Sequence, residues 1–94
     1  MKEIQEKCWK LGIPLKTRHR EVAPGQFEFA PLFGVNTTQI DQNLMVMQIL
    51  EETAPKYGLA ALLQEKPFNN INGLGKHNNW SIAIWCLTSS SYGY

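Results

Sequence analysis

Apolar residues recur at Ile4, Cys8 and Leu11 with Glu and Lys between them, the spacing of a short amphipathic helix over residues 3–11. Gly12 and Pro14 are placed to end it and keep it ended. From Leu15 to Glu21 the pattern loosens into an alternation that predicts a strand, with His19 and Glu21 on one face because side chains repeat every two residues. Pro24-Gly25 is a turn signal with Pro at the second turn position. Gln26 to Ala30 predicts a second strand, Phe27 and Phe29 on one face and Gln26, Glu28 and Ala30 on the other. The two acids thereby become neighbours on one pleated surface.

A longer helical period follows. Ile40, Leu44, Met47, Leu50, Ala54 and Tyr57 form a stripe, and Thr38 with Asp41 three residues later resembles a capping box. Pro55 predicts that the regular helix stops near residue 54, with Lys56 in the last turn and Gly58 at its C-terminal cap. Met45 and Met47 read as core filler in that helix rather than a soft-metal face. Ala60 to Phe68 predicts a third strand, bounded by Pro67 and the Asn/Gly-rich loop from Asn69 to Gly75. Lys76 to Trp85 predicts a fourth, with His77, Asn79 and Ser81 in one row, and the Ser/Tyr-rich end reads as a frayed terminus. The fold class expected is α+β, antiparallel strands packed with one long and one short helix.

Composition narrows the function classes without choosing one. The 94 residues are 44% apolar, enough for one small core, and carry a net charge of +1. That balance offers no basic footprint for nucleic acid or a membrane surface. Cys8 and Cys86 sit at no metal-ligand spacing and read as buried thiols rather than a disulfide. No apolar run approaches the roughly 20 residues of a membrane span, and the first residues lack a signal-peptide core, so the expected location is cytoplasmic.

Candidate chemistry centres on Glu21 and Glu28. An ionised carboxylate withdrawn from water needs a partner, and two carboxylates with a neutral imidazole such as His77 make a hard site suited to Mg²⁺ or Mn²⁺. The alternative is a pair of surface strand acids bonded to Arg18 or Arg20. Asn72-Gly73-Leu74-Gly75 lets backbone amides approach an anion, yet it lacks the phosphate-loop and dinucleotide patterns and taken alone is a turn. Lys16, Arg18, His19 and Arg20 read as a solvated basic strand face.

Three segments in register change the reading. Leu11 to Glu28 (LGIPLKTRHREVAPGQFE), Glu65-Lys66-Pro67-Phe68 and Asn72 to Ser81 (NGLGKHNNWS) together resemble glutamine synthetase, most closely its type III branch, from about residue 3 to about residue 83. The resemblance implies that residues 1–83 are a partial catalytic domain. Glu21 and Glu28 match the carboxylates on the metal nearest the glutamate substrate, and His77 matches the histidine on a second metal facing the nucleotide. Asn72 and Gly73 match the loop that holds glutamate, and Asn79 and Ser81 match positions near the nucleotide. The reaction implied is ligation of glutamate and ammonia at the expense of ATP, through γ-glutamyl phosphate, with Mg²⁺ or Mn²⁺ and in a ring of identical subunits. Two metals fit that chemistry, because phosphoryl transfer needs charge neutralised and groups aligned.

The sequence also departs from the family. The N-terminal β-grasp domain, an earlier pair of metal-binding acids, later arginines and a further acidic ligand are absent, and residues 84–94 diverge. A truncated or frameshifted reading frame is therefore expected, and a piece inactive by itself, in which Glu21 and Glu28 are solvated or paired with Arg18 or Arg20. The rival expectations are a non-catalytic module that associates with full-length synthetase subunits, and a chain that never folds.

Overall fold

The computed structural model describes residues 1–83. Its regular elements are a helix, α1 (Lys2–Lys10), a hairpin of β1 (Leu15–Arg20) and β2 (Phe27–Pro31), and a long helix, α2 (Asn36–Thr53). A single 3₁₀ turn, Ala54–Tyr57, continues α2. The two strands pair antiparallel with His19 opposite Glu28 and Arg20 opposite Phe27. Between Leu15 and Thr17 the register shifts, so Lys16 forms an irregularity of the bulge type. The α+β class and the pairing of a short with a long helix are thus observed. Among the described residues no helix is long and apolar enough to cross a membrane.

The hairpin forms because its turn has the residues that the geometry demands. Gln26 N–H donates to Ala23 C=O at 3.1 Å, Glu21 N–H donates to Gln26 C=O at 3.0 Å, and Gly25 has φ +70°. Pro24 then Gly25 at the centre is the type II signature, which needs a positive φ at its third residue. Helix α1 ends as Cys8 C=O accepts Ile13 N–H at 2.9 Å and Trp9 C=O accepts Gly12 N–H at 3.0 Å, the Schellman pairing. The long helix ends the same way, Leu59 N–H to Ala54 C=O at 3.1 Å and Gly58 N–H to Pro55 C=O at 3.0 Å.

The core is small and lies where α1, β1 and α2 meet: Ile4, Cys8, Ile13, Leu15, Val46 and Ile49. Cys8 is a buried free thiol whose pKa burial pushes up; Cys86 lies outside the described residues. A polar brace joins α1 to β1, the Leu15 carbonyl accepting from Gln5 Nε2 at 3.0 Å and Trp9 Nε1 at 2.8 Å. A carbonyl has two lone pairs, and both are used.

Four expectations need correction. First, α2 starts at Asn36 with Val35 as its cap and no capping side chain, rather than at a box built on Thr38 and Asp41. Second, its buried face is Val46, Ile49 and Thr53, while Ile40, Leu44 and Tyr57 of the expected stripe, and Met45, expected as core filler, are exposed. The helix is apolar on more than one side, and only one side meets α1. Third, residues 60–68 form no strand. Fourth, residues 76–83 form none either, the rest of that segment lying outside the described residues. A strand exists only as half of a hydrogen-bonded ladder, and the described residues offer these segments no free partner besides the outer edges of a two-stranded sheet.

Candidate functional site

Three side chains converge on the open face of the hairpin. His19 faces Glu28 across the ladder, and Glu21 follows His19 by two residues on the same side. His19 Nε2 lies 3.0 Å from Glu21 Oε1 and 2.8 Å from Glu28 Oε2. One potential ligand atom from each of the three lies within 4.8 Å of the other two, the one such group of His, Cys, Asp and Glu among the described residues. Both carboxylates are partly shielded, with side-chain exposures of 21% for Glu21 and 31% for Glu28. The His19 hydrogen bond, more than any other influence, holds the Glu21 carboxyl below the usual range.

The partner of the two acids is therefore His19, and not Arg18 or Arg20 as expected. Arg20 instead stands over the Phe27 ring at 5.9 Å, a cation–π contact on the other face of the hairpin. A hard divalent cation fits this donor set. Two carboxylates and an imidazole are oxygen- and nitrogen-based, with no thiolate, which suits Mg²⁺ or Mn²⁺. Bound there, such an ion would take up to three ligands from these side chains and the rest from water, substrate or further residues.

The loop at residues 72–75 is held against this hairpin. Gln26, in the turn between Glu21 and Glu28, donates from Nε2 to Leu74 C=O at 2.5 Å and accepts from Leu74 N–H through Oε1 at 3.3 Å. From the other side Lys66 Nζ donates to Gly73 C=O at 3.1 Å, and Asn72 Oδ1 accepts Gly73 N–H at 3.2 Å. Gly73 is buried. A Cβ there would come 2.5 Å from the Glu65 carbonyl oxygen and 3.9 Å from Ala23 Cβ, so only glycine lets the three segments approach this closely.

The other sequence candidates lie further along. His77 stands outside the carboxylate cluster and lines a shallow concavity of about 290 Å³ with Glu65, Leu74, Gly75 and Lys76. Asn79 and Ser81 are exposed in the extended segment beyond it. The structure thus brings Asn72 and Gly73 to the turn of the acidic hairpin and puts His77 in a neighbouring hollow. Two contributors, His19 and Gln26, carry no site role in the sequence reading, although alternation sets His19 beside Glu21 and Gln26 beside Glu28. The antiparallel pairing about Pro24-Gly25 is the signal that finds both, since it aligns residue 19 with 28 and leaves 26 at the turn.

Comparison with known proteins gives a consistent answer. The family model described as "Glutamine synthetase, catalytic domain" matches residues 1–86. The "Type-3 glutamine synthetase" of Dictyostelium discoideum is 53% identical over 83 residues, 88% of this chain and 11% of that protein. The "Glutamine synthetase" of Bacteroides fragilis is 54% identical over 82 residues, 87% of this chain and 11% of its own. That of Butyrivibrio fibrisolvens is 51% identical over 82 residues, 87% of this chain and 12% of its own. The chain spans about a tenth of the length of these relatives.

Proposed function

The chain belongs to the glutamine synthetase catalytic-domain family, and from that premise we propose that it is part of a glutamate–ammonia ligase, forming glutamine from glutamate, ammonia and ATP through γ-glutamyl phosphate. The observation that carries this reading to the residues is the convergence of Glu21 and Glu28 on one imidazole nitrogen. Glu21 and Glu28 would hold Mg²⁺ or Mn²⁺ beside glutamate, and His77 a second ion on the nucleotide side. When bound, such ions neutralise phosphate charge and align the reacting groups.

The chain's own residues orient the substrates. Asn72 and Gly73 contact glutamate from a loop that Lys66 and Gln26 hold in place, while Asn79 and Ser81 lie toward ATP. The piece by itself is inactive, and the active protein is a cytoplasmic ring of identical subunits. Titration of the chain with Mn²⁺, followed by electron paramagnetic resonance, tests the metal assignment. Glu21→Gln with Glu28→Gln should weaken binding at least tenfold, since two carboxylate ligands are lost; unchanged affinity removes Glu21 and Glu28 from the metal site. The same purified chain should form no glutamine from glutamate, ammonia and ATP, and any turnover would contradict inactivity of the piece.

A second reading, a non-catalytic module associating with full-length synthetase subunits, is favoured by the exposure of Phe33, Val35, Trp80 and Ile82 at 76%, 72%, 81% and 84%. Exposed apolar side chains mark a surface that another protein covers where they gather into one patch, and association is the test of whether these do. Co-purification with an intact type III synthetase, with altered activity of that enzyme, would support it; separation of the two on a sizing column would oppose it.

A further inference from the structure

The side chain of Gln26 does what a backbone residue does in a β-ladder. A primary amide presents a donor and an acceptor side by side, and here both engage one residue, Nε2 on Leu74 C=O at 2.5 Å and Oε1 on Leu74 N–H at 3.3 Å. Both polar groups of Leu74 are satisfied although residues 71–83 belong to no regular element. The attachment point is 48 residues away in sequence, so nothing local enforces it. Gln26 itself is fixed by its backbone, whose N–H and C=O close the turn on Ala23 and Glu21. The clamp therefore ties the loop to the closing pair of the hairpin turn, across from Glu21 and two residues before Glu28.

We infer that Gln26 is a positioning residue: its carboxamide sets the Asn72–Gly75 loop at a fixed place relative to Glu21 and Glu28, so that the glutamate loop and the metal carboxylates form one site. This rests on the reading of Asn72 and Gly73 as the glutamate loop. The geometry explains why a glutamine is needed. Glutamate at position 26 would keep the acceptor for Leu74 N–H but set a carboxylate against the Leu74 carbonyl, and methionine would fill the space with neither group. Gly73 adds a second contact to the same arrangement, because its lack of a Cβ permits the approach of Glu65 and Ala23 that the clamp holds.

The experiment uses the whole chain, labelled with ¹⁵N, in three forms: unaltered, Gln26→Met and Gln26→Glu. Amide hydrogen exchange at Leu74 should accelerate at least fivefold in Gln26→Met and by less in Gln26→Glu, which keeps the acceptor. Mn²⁺ affinity, read by paramagnetic resonance, should stay within twofold in Gln26→Met, which alters neither Glu21 and Glu28 nor the charge beside them. L-Glutamate added to the unaltered chain should shift the Asn72 and Gly73 amide signals, and the apparent Kd should rise at least fivefold in Gln26→Met with partial rescue in Gln26→Glu. Unchanged exchange at Leu74 in Gln26→Met would overturn the clamp, as would a parallel collapse of Mn²⁺ binding, which would mean that Gln26 merely supports the hairpin. If glutamate shifts nothing in the unaltered chain while Leu74 exchange responds as stated, the clamp stands and the glutamate assignment of the loop fails.

Discussion

At the scale of single residues, His19 is the group on which the site turns. Its Nε2 lies within hydrogen-bond distance of both carboxylates, and a shared donor offsets the repulsion of two like charges at close range. His19→Ala should therefore let the Glu21 carboxyl pKa rise toward its ordinary value, measured by ¹³C NMR of the side-chain carboxyl; an unmoved titration would show that His19 does not hold it. Much of this site was legible beforehand. Two acids on neighbouring strands of a Pro-Gly hairpin announce a shared face. What hid His19 was its place among Lys16, Arg18 and Arg20, which reads as a solvated basic run. Alternation along the strand already sets the imidazole on the Glu21 face, apart from the guanidiniums; what the register adds is Glu28 directly opposite it. Gln26 was hidden for another reason, since its partner is far away in sequence and in a segment without periodicity.

At the scale of elements, the hairpin and both helices follow from local chemistry, and the faces they bury do not. Helix α2 could bury either of two apolar sides, and the choice is made by α1 through Val46, Ile49 and Thr53. Thr53 Oγ1 accepts from Lys7 Nζ at 3.1 Å, and Lys7 Nζ pairs with Glu3 at 2.9 Å. The Tyr57 hydroxyl also donates to Glu3. That hydroxyl first, and Lys7 second, hold the Glu3 carboxyl down at about 2. A carboxyl depressed in the folded state contributes stability that is fully present above its ordinary value of 4.5 and is lost as pH falls toward about 2. Tyr57→Phe should raise the Glu3 pKa and flatten the loss of helix signal across that acid window, followed by circular dichroism against pH. Gly58 closes the same end of the helix at φ +69°, a conformation costing an L side chain roughly 1–2 kcal/mol. Gly58→Ala should destabilise the α1–α2 unit by about that amount in urea, whereas Gly34→Ala should act mainly by displacing the Gln39 amide, whose Nε2 would lie 2.7 Å from the new Cβ. The segments 60–68 and 76–83 were misread because an apolar or alternating run is necessary for a strand but not sufficient. Pairing supplies the rest, and among the described residues the ladder contains two strands.

At the scale of the whole molecule, the balance of buried and exposed apolar surface sets how the chain behaves alone. Among the described residues six form the core, whereas Phe33, Val35, Leu59, Trp80 and Ile82 all expose 65% or more of their surface. The radius of gyration is 15.7 Å, against about 12 Å for a compact domain of this length. A two-stranded sheet also leaves both outer edges unpaired, and a lone hairpin is marginal in water without a larger packed face. The hydrophobic term that normally makes unfolding all-or-none is therefore concentrated at α1, β1 and α2, and residues 59–83 are tied to it by polar contacts such as Gln26 to Leu74. Such a distribution predicts separate opening of the two parts rather than one transition. On heating, the helix signal at 222 nm should fall over a broad range, Leu74 amide protection should vanish well before that of the α1 and α2 amides, and a dye sensitive to exposed apolar surface should bind at low temperature. Adding an intact type III synthetase should reduce dye binding if these side chains dock on a subunit. A single sharp transition with equal calorimetric and van't Hoff enthalpies, and Leu74 protected until the helices melt, would show instead that the small core and the Gln26 clamp suffice to make these residues one cooperative unit.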